Sequence, residues 1–164
     1  MAVIEVVKYP APILRQKAKP LTSLTEAENI LIKDMIETMY FNNGVGLAAT
    51  QVGIDRRIIV LNDTQKKGDE LVIINPKIVH VGGRVTGQEG CLSVPGVSRE
   101  LRRANALMIE GLNMEGKEIR LNVKGLTARI IQHEIDHLDG ILFVDRLPFF
   151  QRRKVLAELK KRCV

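Results

Sequence analysis

Two histidines and a glutamate carry the clearest chemical possibility in this chain. They lie in Ile131-Gln132-His133-Glu134-Ile135-Asp136-His137-Leu138-Asp139-Gly140, which contains His-Glu-x-x-His. Residues four apart on an α-helix lie on one face, one turn above each other. His133 and His137 can therefore offer two imidazoles to one metal ion, and Glu134 can reach a metal-held water as general base. Leu126, Ile130, His133 and His137 are spaced 4, 3 and 4 apart, which predicts a helix whose inward face carries the ligands. Gly140 suits its C-terminal end. A buried helix whose histidines satisfy local hydrogen bonds gives the same pattern. The chain has only three His, however, and two sit here. Catalytic metal sites keep three protein ligands plus water, so a third ligand decides the matter.

The elements that must position these residues come from one chain of 164 residues, long enough for a substantial core and expected to form a single domain, 1–164. Apolar residues make up 45% and charged residues 27%, the balance of a soluble globular protein. No apolar run is long enough for a bilayer. The start, Met1-Ala2-Val3-Ile4-Glu5, has no basic region followed by an apolar block, so no secretory signal is expected. The net charge of +6 favours an anionic partner, but basic residues are spread along the chain apart from a dense run at the C-terminus. The two cysteines, Cys91 and Cys163, do not form the framework of a disulfide-rich secreted domain. A reducing compartment with one functional thiolate is expected.

In chain order, residues 1–24 read as irregular, punctuated by Pro10, Pro12 and Pro20. Thr25-Glu26-Ala27-Glu28 has a capping-box pattern, which predicts a helix over about 25–42. Arg57–Asn62 reads as a strand by its β-branched content, followed by a polar loop over 63–69. Leu71–Val79 reads as a strand interrupted at Pro76, hence at an edge or a bulge. His80 just beyond it reads as exposed or structural. Residues 104–123 hold two apolar runs around Asn113-Met114-Glu115-Gly116, which predicts a hairpin. Ile141–Val144 is a short apolar piece, and residues 149–162 read as a C-terminal helix with Val155, Leu156 and Leu159 on one side. The expected fold class is α+β, with antiparallel or mixed sheets packed around a central metal-binding helix.

Two further stretches bear on the site. Gly44-Val45-Gly46-Leu47-Ala48-Ala49-Thr50-Gln51 is a slim backbone that can approach another chain or a ligand closely. Gln51 ends it with an amide that both donates and accepts. A turn leading into a strand, with Gln51 on the surface, is the plainer account. A dinucleotide loop is a poor fit, because the Gly-x-Gly-x-x-Gly spacing is absent. Glu89-Gly90-Cys91-Leu92-Ser93 follows Gly82, Gly83 and Gly87. Cys91 reads either as a small buried hydrophobe or as the third metal ligand. A thiolate with two imidazoles suits zinc, and also ferrous iron, cobalt or nickel.

Taken together and in order, Gly-Val-Gly-Leu-Ala-Ala-Thr-Gln at 44–51, Glu-Gly-Cys-Leu-Ser at 89–93 and Gln-His-Glu-Ile-Asp-His-Leu-Asp-Gly at 132–140 resemble the bacterial-type peptide deformylases over essentially the whole chain. The resemblance implies a hydrolase that removes the formyl group from formyl-methionyl nascent chains. It implies Cys91, His133 and His137 as metal ligands and Glu134 as general base and acid. It implies Gln51 and the Leu92 backbone amide as the groups holding the formyl oxygen. Gly46 and the backbone at Glu89 and Gly90 correspond to the strip that pairs with the substrate peptide. Val45, Leu126 and Ile130 correspond to the lining of the methionine pocket. One divalent ion is implied, natively Fe(II), with Zn, Ni or Co as substitutes, in a cytoplasmic enzyme. Between Pro95 and Arg103 the sequence departs from the aromatic-containing version common in the family. Arg129 receives no catalytic role.

Two other classes are weighed against this. A small zinc endopeptidase fits His-Glu-x-x-His equally well, but Cys91 is the wrong third ligand for it. A basic, metal-stapled nucleic-acid-binding domain needs a closed four-ligand site, whereas only three credible ligands are present. Aromatic residues at 4% are also few for base stacking. The C-terminal helix presents Arg152, Arg153, Lys154, Lys160, Lys161 and Arg162, which read either as a solvated basic face or, as the resemblance suggests, as a contact to ribosomal RNA. No membrane partner is expected.

Overall fold

A computed structural model describes residues 1–163. Helix α1 spans Glu26–Phe41, with the Thr25 backbone N–H donating to Glu28 Oε2 at 3.1 Å as the sequence pattern predicts. Strands β1 (Gly46–Ala48), β2 (Ile58–Leu61), β3 (Leu71–Gly82), β6 (Ala106–Leu112) and β7 (Glu118–Lys124) form a five-stranded sheet in the order β1-β2-β3-β6-β7. Strands β4 (Val85–Cys91) and β5 (Val94–Arg103) pair separately as a hairpin. Every strand pairing is antiparallel. Helix α2 (Gly125–Leu138) carries the histidines, and α3 (Phe149–Arg162) closes the chain. The α+β expectation holds, and among the described residues the sheets contain no parallel pairing.

The sheet separates two hydrophobic clusters of the core. Ile59, Leu61, Ile73, Leu107 and Ile109 pack with Ala128, Ile131, Ile135 and Leu138 of α2. Ile58, Val60, Val72 and Ile74 pack with Ile32, Met35 and Met39 of α1. Alternate residues of one strand thus face opposite helices. This is why β2 is apolar at every position and buried throughout. Each fully buried Ile or Leu contributes about 1.5–3 kcal/mol, so α2 is anchored as a rigid shelf before its polar residues are considered. A third cluster joins Val155 and Leu159 of α3 to Val94, Val97 and Leu101 of the hairpin and to Phe143 and Val144.

Gly140 follows α2 at φ 73°, and a Cβ there would lie 2.5 Å from the Arg15 carbonyl oxygen. The helix therefore stops against the N-terminal segment, where only glycine fits.

Some expectations need correction. Pro76 does not place β3 at an edge, because β3 lies in the middle of the sheet. Its missing N–H falls in a register shift between Ile74 and Lys77, where no ladder bond is required. β3 continues to Gly82, so exposed His80 lies within it. Ile141–Val144 leads into a single 3₁₀ turn, Phe143–Arg146. Leu126 does not face the core with Ile130, being 54% exposed. Among the described residues, no helix is long and apolar enough to cross a membrane.

Candidate active site

Three segments converge beneath one cleft. Helix α2 supplies His133 and His137, the end of β4 supplies Cys91, and the segment after β1 supplies Gln51. Cys91 Sγ lies 3.1 Å from His137 Nε2, which lies 3.2 Å from His133 Nε2. The sulfur and both imidazoles thus aim at one point, with all ligand atoms within 4.8 Å of one another. Ligand–ligand edges of about 3–4 Å are what tetrahedral bonds of about 2.0–2.3 Å require. His133 Nδ1 is 2.9 Å from Glu89 Oε1, which fixes the proton on Nδ1 and leaves Nε2 to ligate.

The electrostatics agree with a cation site. Burial by itself would raise the Cys91 thiol, but His137 and His133 outweigh it and hold the thiol well below its usual range. Burial likewise disfavours a charged His133, yet Cys91 and Glu89 pull its pKa well above the ordinary value. Glu134 has the opposite character. Burial pushes its carboxyl up to about 7, and its Oε2 is buried with no hydrogen-bond partner among the described residues. A carboxyl poised near neutrality beside three converging ligands is suited to moving a proton.

The cleft, about 630 Å³, is lined by Val45, Gly46, Gln51, Glu89, Gly90, Cys91, Leu92, Leu126, Ile130, His133 and Glu134. Of the residues expected from sequence, His137 alone lies behind this lining. The slim backbone at Gly46 has a specific cause: a Cβ there would lie 2.5 Å from Glu134 Oε1 and 2.7 Å from Ile130 Cγ2. Gly46→Ala should therefore displace the carboxylate and lower kcat by about 10²-fold, with melting temperature changed far less. Steady-state kinetics alongside thermal melts check this. Gln51 is buried, its Oε1 accepting from the Ala48 N–H at 2.9 Å and its Nε2 lying 3.3 Å from Ser93 Oγ and 3.5 Å from Cys91 Sγ.

Sequence reasoning missed what stands behind His133. Arg103 donates to both oxygens of Glu89, from Nε at 2.9 Å and Nη2 at 2.8 Å, and its Nη1 reaches Asp136 Oδ2 at 2.7 Å. Arg129 donates to Glu89 Oε2 at 2.6 Å and to the Val85 and Leu101 carbonyls, both at 2.9 Å. Arg146 makes a two-pronged pair with Asp136. Burial by itself would raise Glu89, but Arg103 and His133 overcome it and hold its carboxyl at about 2. The clue in the sequence was that Arg129, His133 and Asp136 share one face of α2 at helical spacing. Polar groups on an otherwise apolar inward face demand partners.

The family model described as polypeptide deformylase matches residues 3–153. The chain belongs to the polypeptide deformylase family. The peptide deformylase of Desulforudis audaxviator (strain MP104C) is 47% identical over 155 residues, 94% of this chain and 99% of that one. The peptide deformylase of Halothermothrix orenii is 48% identical over 147 residues, 90% of this chain and 95% of that one. A peptide deformylase crystal structure from Legionella pneumophila superimposes with a TM-score of 0.93 at 40% identity, covering 98% of this chain and 95% of that one. This deformylase is accordingly a metal-dependent hydrolase that takes the N-terminal formyl group from formyl-methionyl polypeptides and releases formate.

Proposed function

We propose that Cys91, His133 and His137 hold one divalent ion, natively Fe(II), with Zn, Ni or Co as substitutes. The convergence of one Sγ and two Nε2 atoms beneath the cleft carries this reading. Such an ion, when bound, supplies Lewis acidity to a coordinated water. Glu134 accepts the proton of the attacking water through its unpartnered carboxylate and returns it to the leaving amine nitrogen. Gln51 Nε2 and the Leu92 N–H donate to the oxygen that gains charge as the formyl carbon is attacked, each worth about 3–4 kcal/mol. Val45, Leu126 and Ile130 receive the methionine side chain. Leu126 has its exposed face on the cleft, as such a role needs. The backbones at Gly46 and at Glu89–Gly90 pair with the extended peptide. The chain, 1–164, acts as one catalytic domain in the cytoplasm.

The decisive test is formate release from formyl-Met peptides beside acetyl-Met peptides and internal peptide bonds. The formyl hydrogen is replaced by a methyl group in the acetyl peptide, which crowds the metal, so formylated peptides alone should turn over. Comparable cleavage of internal bonds would overturn the reading. Metal analysis after anaerobic purification identifies the native ion; a ferrous–thiolate centre should lose activity in air more quickly than its nickel form.

The second partner is the ribosome, reached through α3. Arg152, Arg153, Lys160 and Lys161 are exposed there, Arg152 also lying 3.5 Å from Asp145. Charge reversal at Arg152, Arg153, Lys160 and Lys161 should abolish ribosome co-sedimentation at low salt and spare turnover of short formyl peptides. Unchanged co-sedimentation would return these residues to a solvated basic face.

A further inference from the structure

The N-terminal segment lies against both groups assigned to the formyl oxygen. The Val7 N–H donates to the Gln51 carbonyl at 2.7 Å, Lys8 Nζ to the Leu92 carbonyl at 2.7 Å, and the Tyr9 N–H to the Ser93 carbonyl at 2.8 Å. Ser93, fully buried, faces Gln51 Nε2 through its hydroxyl. Val7 and Tyr9 use backbone atoms, which any residue but proline supplies. The Lys8 contact depends on its side chain, and Lys8 also lines the cleft.

The position of the Leu92 carbonyl makes this contact consequential. Cys91 pairs with Val94 across the hairpin, so Leu92 and Ser93 are the two central residues of its turn. The peptide between them is the one whose orientation distinguishes turn types. Its carbonyl is the one Lys8 holds. The Leu92 N–H belongs to the preceding peptide, across the same Cα, so a carbonyl held in place restrains the backbone of the residue that carries both groups.

We propose that Lys8 is a positioning residue of the deformylase site, its ammonium anchoring the Leu92 carbonyl and, through it, the backbone of the residue whose N–H serves the formyl oxygen. This rests on the reading that Gln51 and Leu92 hold the formyl oxygen. Lys8 acts through the turn, so its loss weakens interactions made in the transition state rather than substrate binding.

The experiment is steady-state kinetics of Lys8→Met, Lys8→Arg and Gln51→Ala on a neutral formyl-Met tripeptide and on one with an acidic residue after methionine, with metal content and melting temperature measured on each. Lys8→Met should lower kcat about tenfold on both peptides, with KM within about twofold and one metal per chain retained. Lys8→Arg, which keeps a charged donor, should recover most of the rate. Unchanged kcat in Lys8→Met overturns the proposal, as does a rate loss explained by lost metal. A loss confined to KM on the acidic peptide also overturns it, making Lys8 a substrate contact instead. If Gln51→Ala itself keeps its kcat, the formyl-oxygen assignment falls and the proposal falls with it. A large drop in Gln51→Ala beside a normal Lys8→Met defeats the proposal alone.

Discussion

Glu134→Ala should keep the metal and lose about 10⁴-fold in kcat, because the carboxylate is assigned to proton transfer and not to ligation. The same change should leave the fold as stable as before or more so. Glu134 is buried, and its Oε2 lacks a hydrogen-bond partner among the described residues. An ionised carboxylate kept in that position costs stability that catalysis alone justifies. The pH dependence gives the sign. Burial raises the folded-state pKa from 4.5 to about 7, so the metal-free protein binds the extra proton between those values. The Glu134 contribution to stability should fall as pH rises from about 4.5 through about 7, and Glu134→Gln should differ from the parent by that slope. Denaturant melts of the chelated protein across this range, with metal content and turnover of the loaded protein, test both halves. Near-normal kcat in Glu134→Ala would end the mechanism.

Arg103→Met should cost about 3–5 kcal/mol of stability, since it leaves Glu89 and Asp136 buried with part of their compensation gone. Both are buried, and Arg103 is 4% exposed. Metal affinity should fall as well, because Glu89 then has less reason to hold His133 Nδ1. The Glu89 carboxyl sits at about 2 instead of its usual 4.5. Its contribution is therefore complete above about 4.5 and lost as pH falls toward about 2. Acid titration of unfolding should be steeper in this window for the parent than for Glu89→Gln. Urea melts at neutral pH, followed by titration of metal with a competing chelator, measure the Arg103 effect. A melting curve superimposable on the parent would refute it.

What was legible in the sequence was what local physics writes locally. His133, Glu134 and His137 are set by helical spacing, α1 by its capping box, and β6–β7 by a turn between apolar runs. The β4–β5 hairpin was not recognised. Val85-Thr86-Gly87-Gln88-Glu89-Gly90-Cys91 has little apolar content, because this strand's inward position is occupied by charged Glu89. Leu126 was assigned inward by periodicity because an apolar residue that faces a cleft looks the same as one that faces a core. Cys91 stayed open between hydrophobe and ligand until three motifs were read together. The ion network was beyond reach: Glu89 meets Arg103 and Arg129 at separations of 14 and 40 residues, which only the completed topology brings together.

The network around Glu89 also constrains how this site can change. One carboxylate serves His133, Arg103 and Arg129, and Arg103 is shared in turn with Asp136. Substitutions there cannot act independently, because each leaves a different set of charges unmatched. Glu89→Gln and Arg103→Met together should cost less than the sum of their separate costs, since the second removes a charge the first has stranded. Viable routes through sequence space at these positions then run through paired replacements, and a single replacement borrowed from a relative with a differently wired network carries a penalty that its own chemistry does not reveal.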